Sequence, residues 1–185
     1  ETFVYLRARP ARVVPLGWRL KWLTKGEQSM NDDKLVGELV ALAHDIGGPV
    51  LGLDTSTSAA SLCYVTPLKS QVLEDTQDSN IRASEALSDI ILAYKKRCAD
   101  FNELKAIVVG LGPGSFTGLR VGLALAKGVA MGLACPIYGV SSLLLLAANC
   151  GAGPGRVGVL QGHRMAEAYC GIYDINDKGD ISQVI

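Results

Sequence analysis

The sequence predicts an α/β protein, an open mixed sheet with helices on its faces. Three observations point there. Short apolar runs rich in β-branched residues alternate with segments of helical period from residue 49 onward. A glycine-rich loop joins one such run to a long helix of small residues, and the pattern that opens at Val50 starts again near Leu160. A chain of 185 residues, 49% hydrophobic with 21 glycines, can bury one core or two small ones, which fits that class and argues against disorder for most of its length.

Residues 1–30 stand apart. Arg7, Arg9, Arg12, Arg19, Lys21 and Lys25 face only Glu1 and Glu27, with Pro10, Pro15, Trp18 and Trp22 among them. The preferred reading is a poorly ordered basic extension, or sequence translated upstream of a start at Met30; the sharper one is a basic arm whose tryptophans stack on nucleic acid. From Asp32 to Ile46, the residues Leu35, Leu39, Leu42 and Ile46 recur at helical spacing, and Gly47-Gly48-Pro49 ends the segment. Residues 31–48 are therefore expected to be a helix and linker.

A first lobe is expected over 49–155. Val50–Asp54, Ala59–Thr66 and Ser70–Glu74 read as strands, and the short turns between them make an antiparallel meander. Ile81–Arg97 carries Leu87, Ile90, Ile91 and Tyr94 at helical spacing, and Ala106–Val109 reads as a buried strand. After the glycine loop a helix is expected from about Thr117 to Leu133, with Ser115 or Thr117 as its N-cap. Ile137–Val140 is a further strand, and Ser141 caps a short helix that ends at Asn149. The order βββαβαβα is that of the ribonuclease H-like fold.

The opening is repeated near the end. An offset of 107 places Leu160 on Leu53, Cys170 on Cys63, Ala166 on Ala59 and Ile172 on Val65, with Asp177-Lys178-Gly179 as the later turn. Residues 156–185 thus read as the start of a second lobe. The chain stops at Ile185 before that lobe supplies its helices, so the lobe is either abbreviated or cut short.

The glycine loop runs from Gly110 to Arg120. Gly112, Gly114 and Ser115 fall where backbone amides and the positive end of a helix dipole converge, a place that favours an anion. No lysine follows the last glycine as a Walker loop requires, and the dinucleotide pattern is absent, so the residues alone indicate a phosphate-capable turn. Asp54, Thr55 and Ser56, at the turn after the first strand, allow two readings: a second phosphate-facing hairpin whose carboxylate holds a hydrated metal on a nucleotide, or a polar turn bonding its own backbone. In the repeat Gln161 replaces Asp54, and Gly162-His163-Arg164 replaces the hydroxyl run, which disfavours ATP chemistry.

In the following helix Gly118, Gly122, Ala126 and Ala130 recur every four residues, with Gly128 and Gly132 beside them. Such a stripe packs closely either on the domain's own sheet or on a helix of another molecule. Because Leu119, Val121, Leu123, Leu125 and Met131 make the helix apolar nearly all round, a partner interface is preferred. His44 and His163 lie in no metal-ligand spacing, and neither Ser56 nor Ser115 has a histidine with an orienting carboxylate nearby in sequence, so that folding could supply only His44 or His163. No catalytic residue and no metal ligand is predicted.

Eighteen basic and eighteen acidic residues give a formal charge of zero, so a link to RNA has to come through a site or a partner. Cys63, Cys98, Cys135, Cys150 and Cys170 form no C-x-x-C pair, the usage of reduced thiols in a cytoplasmic protein. Arg120, Lys127 and Pro136 interrupt the longest apolar stretches, and no cleavable signal pattern opens the chain. A soluble protein with no membrane association is expected.

Val50-Leu51-Gly52-Leu53-Asp54-Thr55-Ser56, Arg82-Ala83-Ser84-Glu85-Ala86-Leu87, Gly112-Pro113-Gly114-Ser115-Phe116-Thr117-Gly118-Leu119-Arg120-Val121-Gly122 and Pro136 to Leu143, in this order and spacing, resemble the bacterial TsaB (YeaZ) family over about Pro49 to Ile185. The resemblance implies the actin-like, sugar-kinase-like pairing of two ribonuclease H-like lobes. It also implies a non-catalytic subunit that pairs with the transferase TsaD, cooperates with the ATPase TsaE, and supports formation of N6-threonylcarbamoyladenosine in tRNA, which it meets indirectly. No cofactor of its own is implied, beyond a candidate nucleotide at the complex interface. The contact would use the helices Ile81–Arg97 and Thr117–Leu133, with Ser84, Glu85, Leu87, Gly118, Leu119, Gly122, Leu123 and Ala126 as partner-binding residues. Two features depart from the family pattern. Ala83 stands where the family usually has His, and Gln161-Gly162-His163-Arg164 where it has an Asp-Ala-Arg-like turn. Alternatives from other classes are a small-molecule kinase or peptidase of the same fold, and a homodimeric module using the same helices when the partner is absent.

Overall fold

A computed structural model describes residues 43–57, 59–67, 71–78, 83–149, 153–162, 168–177 and 179–184. The expected basic extension and most of the helix over 32–46 lie outside these residues, as do Arg82 and the turn at His163-Arg164. The chain divides into two compact units that meet in sequence between Val140 and Ser141, ahead of the short helix rather than at residue 155.

In the unit up to Val140, β1 (Val50–Asp54), β2 (Ala59–Thr66) and β3 (Gln71–Asp78) form the expected meander. Helix α1 (Ala83–Arg97) and a 3-10 turn at Phe101–Glu103 lead to β4 (Ala106–Gly110), and helix α2 (Phe116–Leu133) leads to β5 (Ile137–Val140). The sheet order is β3-β2-β1-β4-β5, with β1–β2 and β2–β3 antiparallel and β1–β4 and β4–β5 parallel. A parallel pair needs a crossover, and here helices make it. Both helices pack on the face that carries Leu51, Leu53, Leu62, Tyr64, Ile107 and Val109; Leu87, Ile90, Ile91 and Tyr94 come from α1, and Ala126 and Ala130 from α2.

At the edge of the sheet where β4 starts, the connection after α1 is pinned from beneath. Tyr64 stacks on Phe101 at 5.7 Å between ring centroids, and its hydroxyl donates to Asp100 Oδ1 at 3.1 Å. The Thr66 hydroxyl donates to the other oxygen of Asp100. A buried carboxylate is held here by two buried donors, which meets the requirement that buried charge be hydrogen-bonded.

In the second unit, α3 (Ser142–Asn149) packs on an antiparallel sheet of β6 (Gly155–Gly162), β7 (Ala168–Ile175) and β8 (Ile181–Gln183). Leu143 and Ala147 bury against Val157, Val159 and Tyr173, which is why the helix belongs to this unit. Ser141 Oγ accepts from the Leu144 amide at 3.4 Å, as the capping pattern predicts. The order strand, strand, strand repeats the opening of the first unit, but the single offset of 107 does not survive. β1–β2 pairs Asp54 with Ser61, whereas β6–β7 pairs Gln161 with Tyr169, so the second hairpin holds one residue more. Gly52 faces Cys63 while Leu160 faces Cys170, and the cysteines are not equivalent.

Candidate functional site

The turn after β1 and the glycine loop before α2 come together as one hydrogen-bonded knot. The Ser115 amide donates to the Ser56 carbonyl at 2.7 Å, and the Thr55 hydroxyl donates to the Gly118 carbonyl at 2.8 Å. Ser115, and not Thr117, is the N-cap: its Oγ accepts from the Gly118 amide at 3.2 Å. The Asp54 carboxylate accepts from the Ser56 amide at 3.2 Å and from the Ser56 hydroxyl at 2.9 Å, a local turn bond of the Asx kind.

The glycines fit this crossing. A Cβ on Gly114 would lie 2.2 Å from the Ser56 carbonyl oxygen, one on Gly118 2.1 Å from that of Thr55, and one on Gly122 2.3 Å from the Thr55 hydroxyl. Gly118 and Gly122 stand one helical turn apart beneath Thr55, and Gly114 meets the turn just ahead of the N-cap. Gly112 takes φ +86°, a conformation glycine adopts freely, and the Leu119 side chain occupies the space beside it. The structure thus brings together all six candidate phosphate residues, Asp54, Thr55, Ser56, Gly112, Gly114 and Ser115, around contacts made within the protein itself. Among the described residues no group of three histidines, cysteines or carboxylates is placed to hold a metal ion.

The expected partner stripe faces inward. Gly122, Ala126 and Ala130 are buried against the sheet, Ala126 completely, and Gly118 sits over Thr55. Leu87 is likewise wholly inside the core. The reason is the crowding of α2 by the turn after β1, which uses up the small residues at home. Leu119 and Leu123 remain half-buried at the edge of the helix. Ser84 and Glu85 lie in the first turn of α1, and their side chains are outside the described ones.

The outward face of α2 carries other residues. Phe116 is 74% exposed and Met131 85%, and nothing lies within 4 Å of the Cβ positions of Gly128 and Gly132. The Arg120 guanidinium sits 5.4 Å from the centroid of the Phe116 ring. Leu92 of α1 is also exposed. Helical phase was the available signal: Ala124, Gly128 and Met131 lie opposite Gly122 and Ala126 and share their side with Arg120 and Lys127. Arg120 and Lys127 fall within α2, which is still long and apolar enough to cross a membrane by length and composition alone; its inner stripe is seated on the sheet of its own unit.

The structure is similar to YeaZ from Pseudomonas aeruginosa, with a TM-score of 0.64 and 27% identity, covering 75% of this chain and 65% of that one. The TsaB protein of Escherichia coli is 31% identical over 134 residues, 70% of this chain and 57% of its own length. That of Bacillus subtilis is 32% identical over 139 residues, 74% of this chain and 59% of its own. A family model described as TsaD, tRNA N6-adenosine threonylcarbamoyltransferase, matches residues 80–182, more than half of the chain. The chain belongs to the TsaB (YeaZ) family. It spans less than two thirds of the length of these relatives. The TsaB family identity agrees with the mixed sheet and flanking helices, an actin-like α/β fold. The matched model covers both α1 and α2, so the helix pair, its loop and its outward face all lie inside the region that carries the resemblance.

Proposed function

We propose that this chain is a non-catalytic subunit of the assembly that makes N6-threonylcarbamoyladenosine in tRNA, and that it docks on a TsaD-type transferase through the outward face of α1 and α2. One observation carries the reading. With Gly122, Ala126 and Ala130 filled from within, α2 still presents Phe116, Met131 and the open positions of Gly128 and Gly132 on its other side. Exposed Phe116 and Met131 on a helix already seated on its sheet mark a second side suited to burial, and glycines with nothing above them allow another helix to approach closely, with Arg120 and Lys127 as charged neighbours. The names of the TsaB relatives supply the reaction. TsaE and the cytoplasm, where tRNA is modified, complete the proposal.

No group of the glycine knot is assigned a chemical step. Ser56 and Ser115 act as turn and cap, and the Asp54 carboxylate engages Ser56. A nucleotide at this knot would contact the loop where α2 begins, and binding of ADP to the isolated chain, measured by calorimetry, is expected to be absent.

The docking face is tested with Gly128→Leu and Met131→Asp, which leave the sheet side of α2 untouched. Both are expected to keep the wild-type unfolding temperature within a few degrees and to weaken capture of a TsaD-type partner by at least about tenfold, as charge or bulk at the centre of an interface does. Undiminished capture removes the face from the proposal. Gly122→Leu is unsuitable, because its side chain collides with Thr55 and the loss would be one of folding.

A further inference from the structure

The last turn of α1 presents Lys95, Lys96 and Arg97, all exposed, and the chain returns through the 3-10 turn to an exposed Lys105 at the start of β4. The connection is tightly held. The Cys98 amide donates to the Tyr94 carbonyl at 2.8 Å, the Phe101 amide to that of Cys98 at 3.2 Å, and the Lys105 amide to that of Pro49 at 2.9 Å. The Lys105 stem lies over Gly48, where a Cβ would meet its Cγ at 2.7 Å. No described carboxylate pairs with any of the four cations. Asp100, which follows Arg97 by three residues, is turned inward to Tyr64 and Thr66, leaving Glu103 as the exposed acid of the connection.

A helix dipole favours cations in its last turn, and this accounts for three of the four. It does not account for Lys105, which is outside the helix, nor for the withdrawal of Asp100 from the surface. In a chain whose formal charge is zero, this is a local concentration of positive charge. Separate, exposed cations on a fixed backbone suit a polyanion with spaced phosphates better than one small anion, which needs converging donors. The names of the relatives and of the matching family model supply one such polyanion, tRNA.

We propose that Lys95, Lys96, Arg97 and Lys105 form a contact surface for the phosphate backbone of tRNA. The inference rests on the reading of the chain as a subunit of a tRNA-modifying assembly. The surface lies where β4 starts, at the other end of that strand from the glycine loop, so it is separable from the knot.

The test uses the chain together with a TsaD-type partner and a fluorescent unmodified tRNA, titrated between about 50 and 200 mM salt. Replacing all four cations by Gln is expected to lower affinity at least about tenfold and to flatten the slope of log K against log salt by roughly two to three. The unfolding temperature should stay at the wild-type value, and affinities are compared at partner concentrations that saturate both chains, so that a change in capture is not read as a change in tRNA binding. Unchanged affinity and slope in the fourfold variant overturn the proposal. So does binding to anionic phosphatidylserine vesicles that matches tRNA binding and disappears in the same variant. If the wild type fails to capture the partner yet binds tRNA through these cations, the subunit reading falls and the surface stands.

Discussion

At the scale of single residues, glycine identity in α2 is decided by what stands above each Cβ position. Gly118 lies under the Thr55 carbonyl, which a Cβ would approach to 2.1 Å, and backbone cannot swing aside as a flexible side chain can. Gly128 has nothing within 4 Å. The same substitution should therefore have opposite signs at the two sites. Gly118→Ala is expected to destabilise by on the order of 2–3 kcal/mol through overpacking. Gly128→Ala should stabilise by about 0.5–1 kcal/mol, because alanine is the better helix former and restricts the unfolded chain. Urea unfolding of the two variants beside the wild type gives both numbers, and equal effects would show that the knot around Thr55 does not constrain the helix. Sequence alone identified a run of small residues but not which of them were crowded, since crowding depends on a turn more than sixty positions earlier.

At the scale of elements, the strands bounded by turn residues were legible to their ends: β1, β2 and β5 run where their apolar runs and flanking turns predict. β3 was not. Its sequence, Gln-Val-Leu-Glu-Asp-Thr-Gln-Asp, loses apolar character halfway, and pairing with β2 carries it on until Asp78 meets Ala59. The orientation of α2 was also illegible, for a related reason. A helix apolar nearly all round has no period to say which side is inside, and the sheet took the small stripe. Its start was legible through Ser115, whose hydroxyl caps Gly118. Ser115→Ala is expected to lower stability by about 1 kcal/mol, the usual worth of such a cap. Its amide bond to the Ser56 carbonyl persists in the variant, so partner capture should not change. A drop in capture larger than the drop in stability would instead make the loop part of the docking surface.

At the scale of the whole molecule, duplication was legible as a repeated order of strands, while the residue correspondence was not, because a one-residue difference in hairpin length breaks any single offset. Each unit has its own core, and each core holds a tyrosine wholly shielded from water, Tyr64 in one and Tyr173 in the other. Burial raises both phenols above the ordinary value of 10.0. For Tyr64 the Asp100 carboxylate adds to the rise, and for Tyr173 a hydrogen bond with Ser141 offsets part of it. The Cys135 thiol is raised from 9.0, again chiefly by burial. In each case the folded protein keeps a proton that the unfolded chain releases, so the unfolded state is favoured as these protons leave. Stability is accordingly expected to be full below about pH 9, to decline above it as Cys135 begins to matter, and to fall more steeply above about pH 10 as the tyrosines do. Tyr64→Phe separates the largest contributor. At neutral pH it should be less stable than the wild type, having left Asp100 with one donor fewer. Toward about pH 11 the gap should narrow, because the variant no longer resists the loss of that proton. Unfolding midpoints in urea, followed by circular dichroism from about pH 7 to 11, distinguish the outcomes: converging curves support a neutral Tyr64 held against Asp100, and parallel curves refute it.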